Sequence, residues 1–170
     1  KVFAVSPTIT ANQVTNSTES LYLKYKKALP ADTPIFVVHG KIKQEEQNKI
    51  ISSFTNTPNS VLISTSLIEV GIDVPSANVM IIHSAERFGL AQLHQLRGRV
   101  GRGADQSYCF LIPTNDDQEE TERLKLMTKY NSGLTLAKKD LILRGSGEVF
   151  GQKQHGTLQT KLKYFWSKKS

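Results

Sequence analysis

Cysteine is almost absent: Cys109 is the one thiol in 170 residues. A single thiol can neither close an internal disulfide nor build a cysteine zinc cage, which excludes disulfide-stapled secreted scaffolds and zinc fingers. Long apolar runs are also lacking. Stretches such as Val61-Leu62-Ile63 are strand-sized against the ~20 residues that a membrane-spanning helix needs. The apolar opening, Val2 to Val5, meets Pro7 too soon to be a signal peptide and instead suggests a first strand, in a chain cut from a longer polypeptide. Two phosphate-binding signatures are missing as well: no G-x-x-x-x-G-K-[ST] occurs, and no G-x-G-x-x-G follows the first strand. A reduced, cytoplasmic setting with no membrane partner is the expectation, for a chain that does not hold a complete triphosphate cradle.

What is present is a moderately basic sequence, with 22 Lys and Arg against 15 Asp and Glu, a net charge of +7 and 38% hydrophobic residues. This length supports one domain with a small appendage and a core held by apolar packing. The charge is uneven. Lys153, Lys161, Lys163, Lys168 and Lys169 stand in the last twenty residues without an acid, and Arg97, Arg99 and Arg102 form a second basic knot. Both are candidate phosphate-contacting surfaces.

Short β-branched runs alternate with helical patterns, the signature of a mainly parallel sheet flanked by helices. Strands are expected at Val2 to Ser6, Ile35 to Val38, Val61 to Thr65, Val79 to Ile82 and Tyr108 to Ile112. Helices are expected from Ser17 or Thr18 to Leu29, with Leu21, Tyr25, Ala28 and Leu29 on one side, from Glu45 to Phe54, with Ile50, Ile51 and Phe54 inward, and from Leu90 to Leu96. After Asn115 the texture changes. Acids from Asp116 to Glu122 precede Arg123, Lys125 and Lys129, which suits a helix dipole better than a magnesium site. Gly133 is expected to break this helix, Leu134 to Leu143 to return against it, and Gly145, Gly147 and Gly151 to mark an irregular loop. The organisation expected is therefore an α/β body over 1–113 and, over 114–170, a helical hairpin, loop and basic tail.

The most informative segment is Gln95-Leu96-Arg97-Gly98-Arg99-Val100-Gly101-Arg102-Gly103. Three glycines so close would cost a helix about 1 kcal/mol each relative to alanine, so a tight backbone path is expected to compensate. That path aims Arg99 and Arg102 at a common anion, for which a triphosphate at the carboxyl edge of the sheet is the natural partner.

This segment resembles motif VI of superfamily 2 helicases. Val38-His39-Gly40-Lys41-Ile42 is similar to motif IV and its flank, and Ile63 to Pro75 is similar to motif V. The run from Ala85 to Gln95, continued by Gln106-Ser107-Tyr108-Cys109, narrows the resemblance to the RecG-type ATP-dependent DNA helicases, over almost the whole chain to about residue 156. The resemblance implies a second RecA-like motor domain. Arg99 and Arg102 would then stabilise charge on the γ-phosphate and Gln95 would bond near the phosphates, while Asp73 would contact the ribose and Gly71 allow its approach. Thr65, His39 and Gly40 would meet the DNA backbone. Gln47 stands where many relatives carry Arg or Lys, which puts a phosphate contact from that helix in doubt.

Arg123, Arg144 and Gln154 match the translocation motif of the same family, in which a helical hairpin leads into a loop towards the motor cleft. Ser146 departs from the usual proline there. The tail after Gly156, with Tyr164, Phe165 and Trp166 among lysines, matches no motif and either binds DNA or docks on the body. The resemblance further implies ATP with Mg2+, the magnesium ligands belonging to the preceding motor domain, and as partners branched or forked DNA and the other domains of the same polypeptide. The fragment alone is expected to be inactive. Two other readings stand beside this one: a fragment of a transcription-repair coupling factor, with RNA polymerase among its partners, and a non-catalytic nucleic-acid-binding α/β module.

Overall fold

The computed structural model describes residues 1–7, 18–65, 77–101, 106–115, 117–147 and 164–168, with the side chains of 118–121, 143–147 and 164–168 excepted. The strands are β1 (Val2–Ser6), β2 (Ile35–Val38), β3 (Val61–Thr65), β4 (Val79–His83), β5 (Ser107–Ile112) and β6 (Tyr164–Lys168). The helices are α1 (Thr18–Ala28), α2 (Gln44–Asn56), α3 (Leu90–Arg97), α4 (Gln118–Lys129) and α5 (Gly133–Gly147), with a short 3-10 turn at Ala85–Arg87 before α3. The sheet order is β2-β3-β1-β4-β5-β6. The first five strands run parallel, and β6 closes the β5 edge antiparallel, with Cys109 opposite Trp166. The mainly parallel sheet read from the sequence is the sheet observed, and the tail that matched no motif supplies its last strand.

Alternation along the strands divides the core in two. On one face Ala4, Val61 and Ile63 pack against Leu21 and Tyr25 of α1. On the other, Phe3, Val5, Leu62, Met80 and Ile82 meet Phe54 of α2, Leu90, Leu93 and Leu96 of α3, Leu124 and Met127 of α4, and Leu136 of α5. Strands covered on both sides need apolar residues at every position, which is why these runs are continuous rather than alternating. Of the expected inward residues of α1, Ala28 is exposed while Leu29 packs, because the helix ends there and its last turn closes through the Leu29 amide on the Tyr25 carbonyl, 2.9 Å away.

Two helix boundaries differ from expectation. Gly133 does not end α4, which stops at Lys129; it begins α5, where the Ser132 carbonyl accepts from the Leu136 amide at 3.0 Å. Nor do Gly145 and Gly147 open an irregular loop at Leu143, since α5 continues through both. Once a helix is nucleated each further residue adds a hydrogen bond, and this offsets the entropic cost of a terminal glycine.

Candidate functional site

The carboxyl ends of parallel strands are where such sheets bind ligands, and here they gather polar groups. Ser6 ends β1, Thr65 ends β3 as its register partner, His39 follows β2, and His83 ends β4. Ser6 Oγ, Thr65 Oγ1 and His39 Nδ1 are all buried and make no hydrogen bond among the described residues. An orphaned buried polar atom is costly and rare in a folded core, so three along one sheet edge make that edge the candidate place for an outside partner. Thr65, His39 and Gly40 are brought together there as the sequence suggested. Ser6 was missed; its signal was a serine between a buried strand and Pro7.

The second-strand turn is tied by Gln47. Its Nε2 donates to the carbonyls of Ile42 at 2.7 Å and His39 at 3.3 Å, so a buried amide on α2 fixes the path of His39 and Gly40. Gln47 thus faces inward, on the carbonyls of its own turn. At the end of β4, His83 and Tyr25 of α1 form a latch. The Tyr25 hydroxyl lies 3.0 Å from His83 Nε2, and the rings meet edge to face at 5.9 Å. Burial, reinforced by Lys24, pushes His83 down to about 4, and burial raises Tyr25 to about 12, so both are neutral at ordinary pH.

The arginine segment lies elsewhere. Helix α3 carries the chain from the carboxyl end of β4 back towards its start, where the Gly101 amide reaches the Ala77 carbonyl at 3.4 Å. The expectation that this turn sits at the carboxyl edge is therefore corrected: it sits at the amino ends of β4 and β5. Gln95 is exposed on α3, and Arg99 is half-buried in the turn that follows, its amide bonded to the Leu96 carbonyl at 2.9 Å. Arg102, Gly71, Asp73 and Gln154 lie outside the described residues, as does the side chain of Arg144 on α5.

The glycines of this segment differ in what they do. Gly98 has an ordinary helical conformation, φ −70° and ψ −8°. Gly101 has φ +77°, and a Cβ there would lie 2.6 Å from Ser107 Oγ. The tight path expected of these glycines is required at Gly101 and not at Gly98.

Arg97 is the larger correction. Read as part of a basic surface, it is in fact 6% exposed. Its Nη1 donates to the Met127 carbonyl at 2.7 Å and the Tyr130 carbonyl at 3.2 Å, and its Nη2 donates to Asn131 O at 3.3 Å and meets His94 Nδ1 at 3.0 Å. These carbonyls belong to the end of α4 and the turn beyond it, where unsatisfied acceptors and the negative pole of the helix dipole attract a cation. Leu90, Leu93 and Arg97 share one face at i, i+3 and i+7, and that periodicity is the signal that could have shown Arg97 to be an inward residue.

Arg123 makes the reciprocal tie. From the first half of α4 its guanidinium donates to the Phe88 carbonyl at 2.8 Å and to the Glu86 carbonyl, with Asp140 of α5 3.9 Å away. The hairpin is thus bolted to both ends of α3. Cys109, buried in β5, has its thiol pushed up to about 12 by burial and is packing material, not a nucleophile. Among the described residues no cluster of His, Cys, Asp and Glu could hold a metal, and no helix is long and apolar enough to cross a membrane.

Comparison with known proteins agrees with this architecture. The curated ATP-dependent DNA helicase RecG of Thermotoga maritima is 45% identical over 158 residues, covering 92% of this chain and 20% of the relative. The chain therefore spans about a fifth of that relative's length. A structure of RecG bound to a three-way DNA junction matches with a TM-score of 0.68 and 42% identity, over 88% of this chain and 19% of that one. The C-terminal domain of the DEAD-box protein Dbp5 shares the fold, with a TM-score of 0.56 and 19% identity over 76% of this chain and 68% of that one. The sequence profile of the helicase conserved C-terminal domain matches residues 2–104, and with its parallel sheet and the arginine turn after α3, this chain belongs to that family.

Proposed function

We infer that this chain is the C-terminal motor domain of a RecG-type ATP-dependent DNA helicase, a cytoplasmic enzyme that remodels branched DNA and stalled forks in recombination and repair. The observation that carries this reading is a division of labour across one sheet. Orphaned polar atoms of Ser6, Thr65 and His39 line the carboxyl edge, and the Gln95 to Gly101 segment turns at the opposite edge. Hydroxyls and an imidazole suit a DNA backbone, which is positioned by phosphate contacts rather than read. Gln95, Arg99 and Arg102 suit the β- and γ-phosphates of ATP, with Gly71 and Asp73 towards the ribose. A lysine loop and magnesium ligands are supplied by the preceding motor domain. Arg123, Arg144 and Gln154 serve as the translocation motif on the hairpin and its following loop, the body being residues 1–113 together with the returning strand β6, and the appendage the segment from 114 up to that strand.

The test uses the intact polypeptide. Arg99→Ala is expected to reduce DNA-stimulated ATP hydrolysis by about 10³, the scale of an arginine that stabilises phosphoryl-transfer charge. DNA affinity and its salt dependence should stay within twofold. A variant that keeps its ATP turnover and loses DNA affinity with a shallower salt slope would instead make Arg99 a DNA ligand and the chain a binding module.

A further inference from the structure

Helix α3 is only eight residues long, yet it is held at both ends. Arg123 fixes the approach to its first turn through the Phe88 and Glu86 carbonyls. Arg97 fixes its last turn through three carbonyls at the end of α4 and beyond it. Only a planar guanidinium can serve acceptors arranged in this way, because its donors diverge in a fixed fork. His94 stands behind it. Its Nδ1 lies 3.0 Å from Arg97 Nη2, and its ring edge occupies the space beside Gly133, where an added Cβ would come within 2.8 Å of Cδ2.

The backbone then continues without a break into the functional turn. The Gly98 amide bonds to the His94 carbonyl at 3.1 Å and the Arg99 amide to the Leu96 carbonyl at 2.9 Å. Arg99 therefore starts from a hydrogen-bonded turn whose orientation is set by the Arg97 and His94 side chains on the preceding helical turn. We propose that Arg97, backed by His94 against Gly133, is a positioning residue for ATP hydrolysis, holding the end of α3 on the α4–α5 turn so that Arg99 is presented at a fixed place. This rests on the reading that Arg99 serves the nucleotide. A misplacement of about 1 Å at a reacting centre can cost up to about 10²-fold in rate, so a loosened helix end is felt even though Arg97 itself touches no substrate.

The test is a double-mutant cycle in the intact polypeptide. Arg97→Gln is expected to lower kcat for DNA-stimulated ATP hydrolysis about tenfold, with KM for ATP and DNA affinity within twofold. On an Arg99→Ala background the same change is expected to cost less than twofold, because nothing is left to position. Arg97→Lys, which keeps the charge without the fork, should fall between wild type and Arg97→Gln. Equal losses on the two backgrounds, or an unchanged kcat in Arg97→Gln, overturn the proposal.

Should Arg97→Gln fail to fold, Gly133→Ala decides. Its Cβ crowds the His94 ring and is expected to lower kcat several-fold on the wild-type background but less than twofold on the Arg99→Ala background; no loss on the first, or equal losses on both, overturns the proposal. A wild-type polypeptide that hydrolyses no ATP in the presence of DNA defeats the functional reading itself and takes the proposal with it, a result distinct from equal losses in the cycle.

Discussion

Lowering the pH should loosen this domain through His83. The ring is held at about 4 by burial and by Lys24, against an ordinary value of 6.5. The folded state therefore binds fewer protons than the unfolded chain between those values, and unfolding is favoured as protons are added. The contribution of His83 is intact above pH 6.5 and is lost as the pH falls towards 4. The whole gap corresponds to about 3.4 kcal/mol. At pH 5, where the free chain is mostly charged at this position and the folded ring mostly neutral, about 2 kcal/mol is gone. For a domain of this size that is a fall in Tm of about 4–8 °C. Thermal unfolding followed by circular dichroism at pH 8 and pH 5 gives the wild-type fall, and His83→Asn, which cannot charge, gives the background from all other groups. The difference between the two falls is the quantity of interest. If both proteins lose the same Tm, His83 is not held neutral by its surroundings and the latch with Tyr25 has been misjudged.

Other substitutions probe other parts of the structure. Gly101→Ala combines φ +77° with a Cβ 2.6 Å from Ser107 Oγ, and should destabilise by about 2–4 kcal/mol in denaturant unfolding; a loss under 1 kcal/mol would mean that the turn relaxes freely. Ser6→Ala removes a buried hydroxyl that has no partner. Stability should hold or rise by about 1 kcal/mol, while the intact polypeptide should bind DNA about tenfold more weakly; a stability loss above 1 kcal/mol would reveal a structural role. Arg123→Ala leaves the Phe88 and Glu86 carbonyls without their donor, for an expected cost of about 2–4 kcal/mol in the same unfolding assay. A near-neutral result would show that the hairpin does not depend on this tie.

The strands were legible because a sheet covered on both faces demands uninterrupted apolar runs, and Val61 to Thr65 or Val79 to Ile82 can hardly be anything else. Helix α2 was legible from the spacing of Ile50, Ile51 and Phe54. The arginines were harder. A guanidinium buried among carbonyls and a half-buried one look alike in a string of letters, so Arg97 was grouped with Arg99 although only Arg97 is buried. What separates them is the stripe from Leu90 through Leu93, visible only when the helix is taken to extend one residue beyond Leu96. Gly133 was misread for a related reason: a glycine required by a neighbour's ring, 94 residues into the chain, leaves no local mark. The location of the arginine turn followed from the direction of α3, which a linear reading supplied but did not apply.

The sheet ends on a borrowed border. Ser107–Ile112 is a six-residue ribbon whose outer backbone groups are satisfied by residues more than fifty positions later in the chain. Shortening the polypeptide before Tyr164 would bare those amides and carbonyls beside the stacked rings of Tyr108 and Phe110, a ready template for another molecule's backbone. A fragment trimmed to its motor motifs would thus trade a tidy rim for a sticky one and self-associate, however sound its interior.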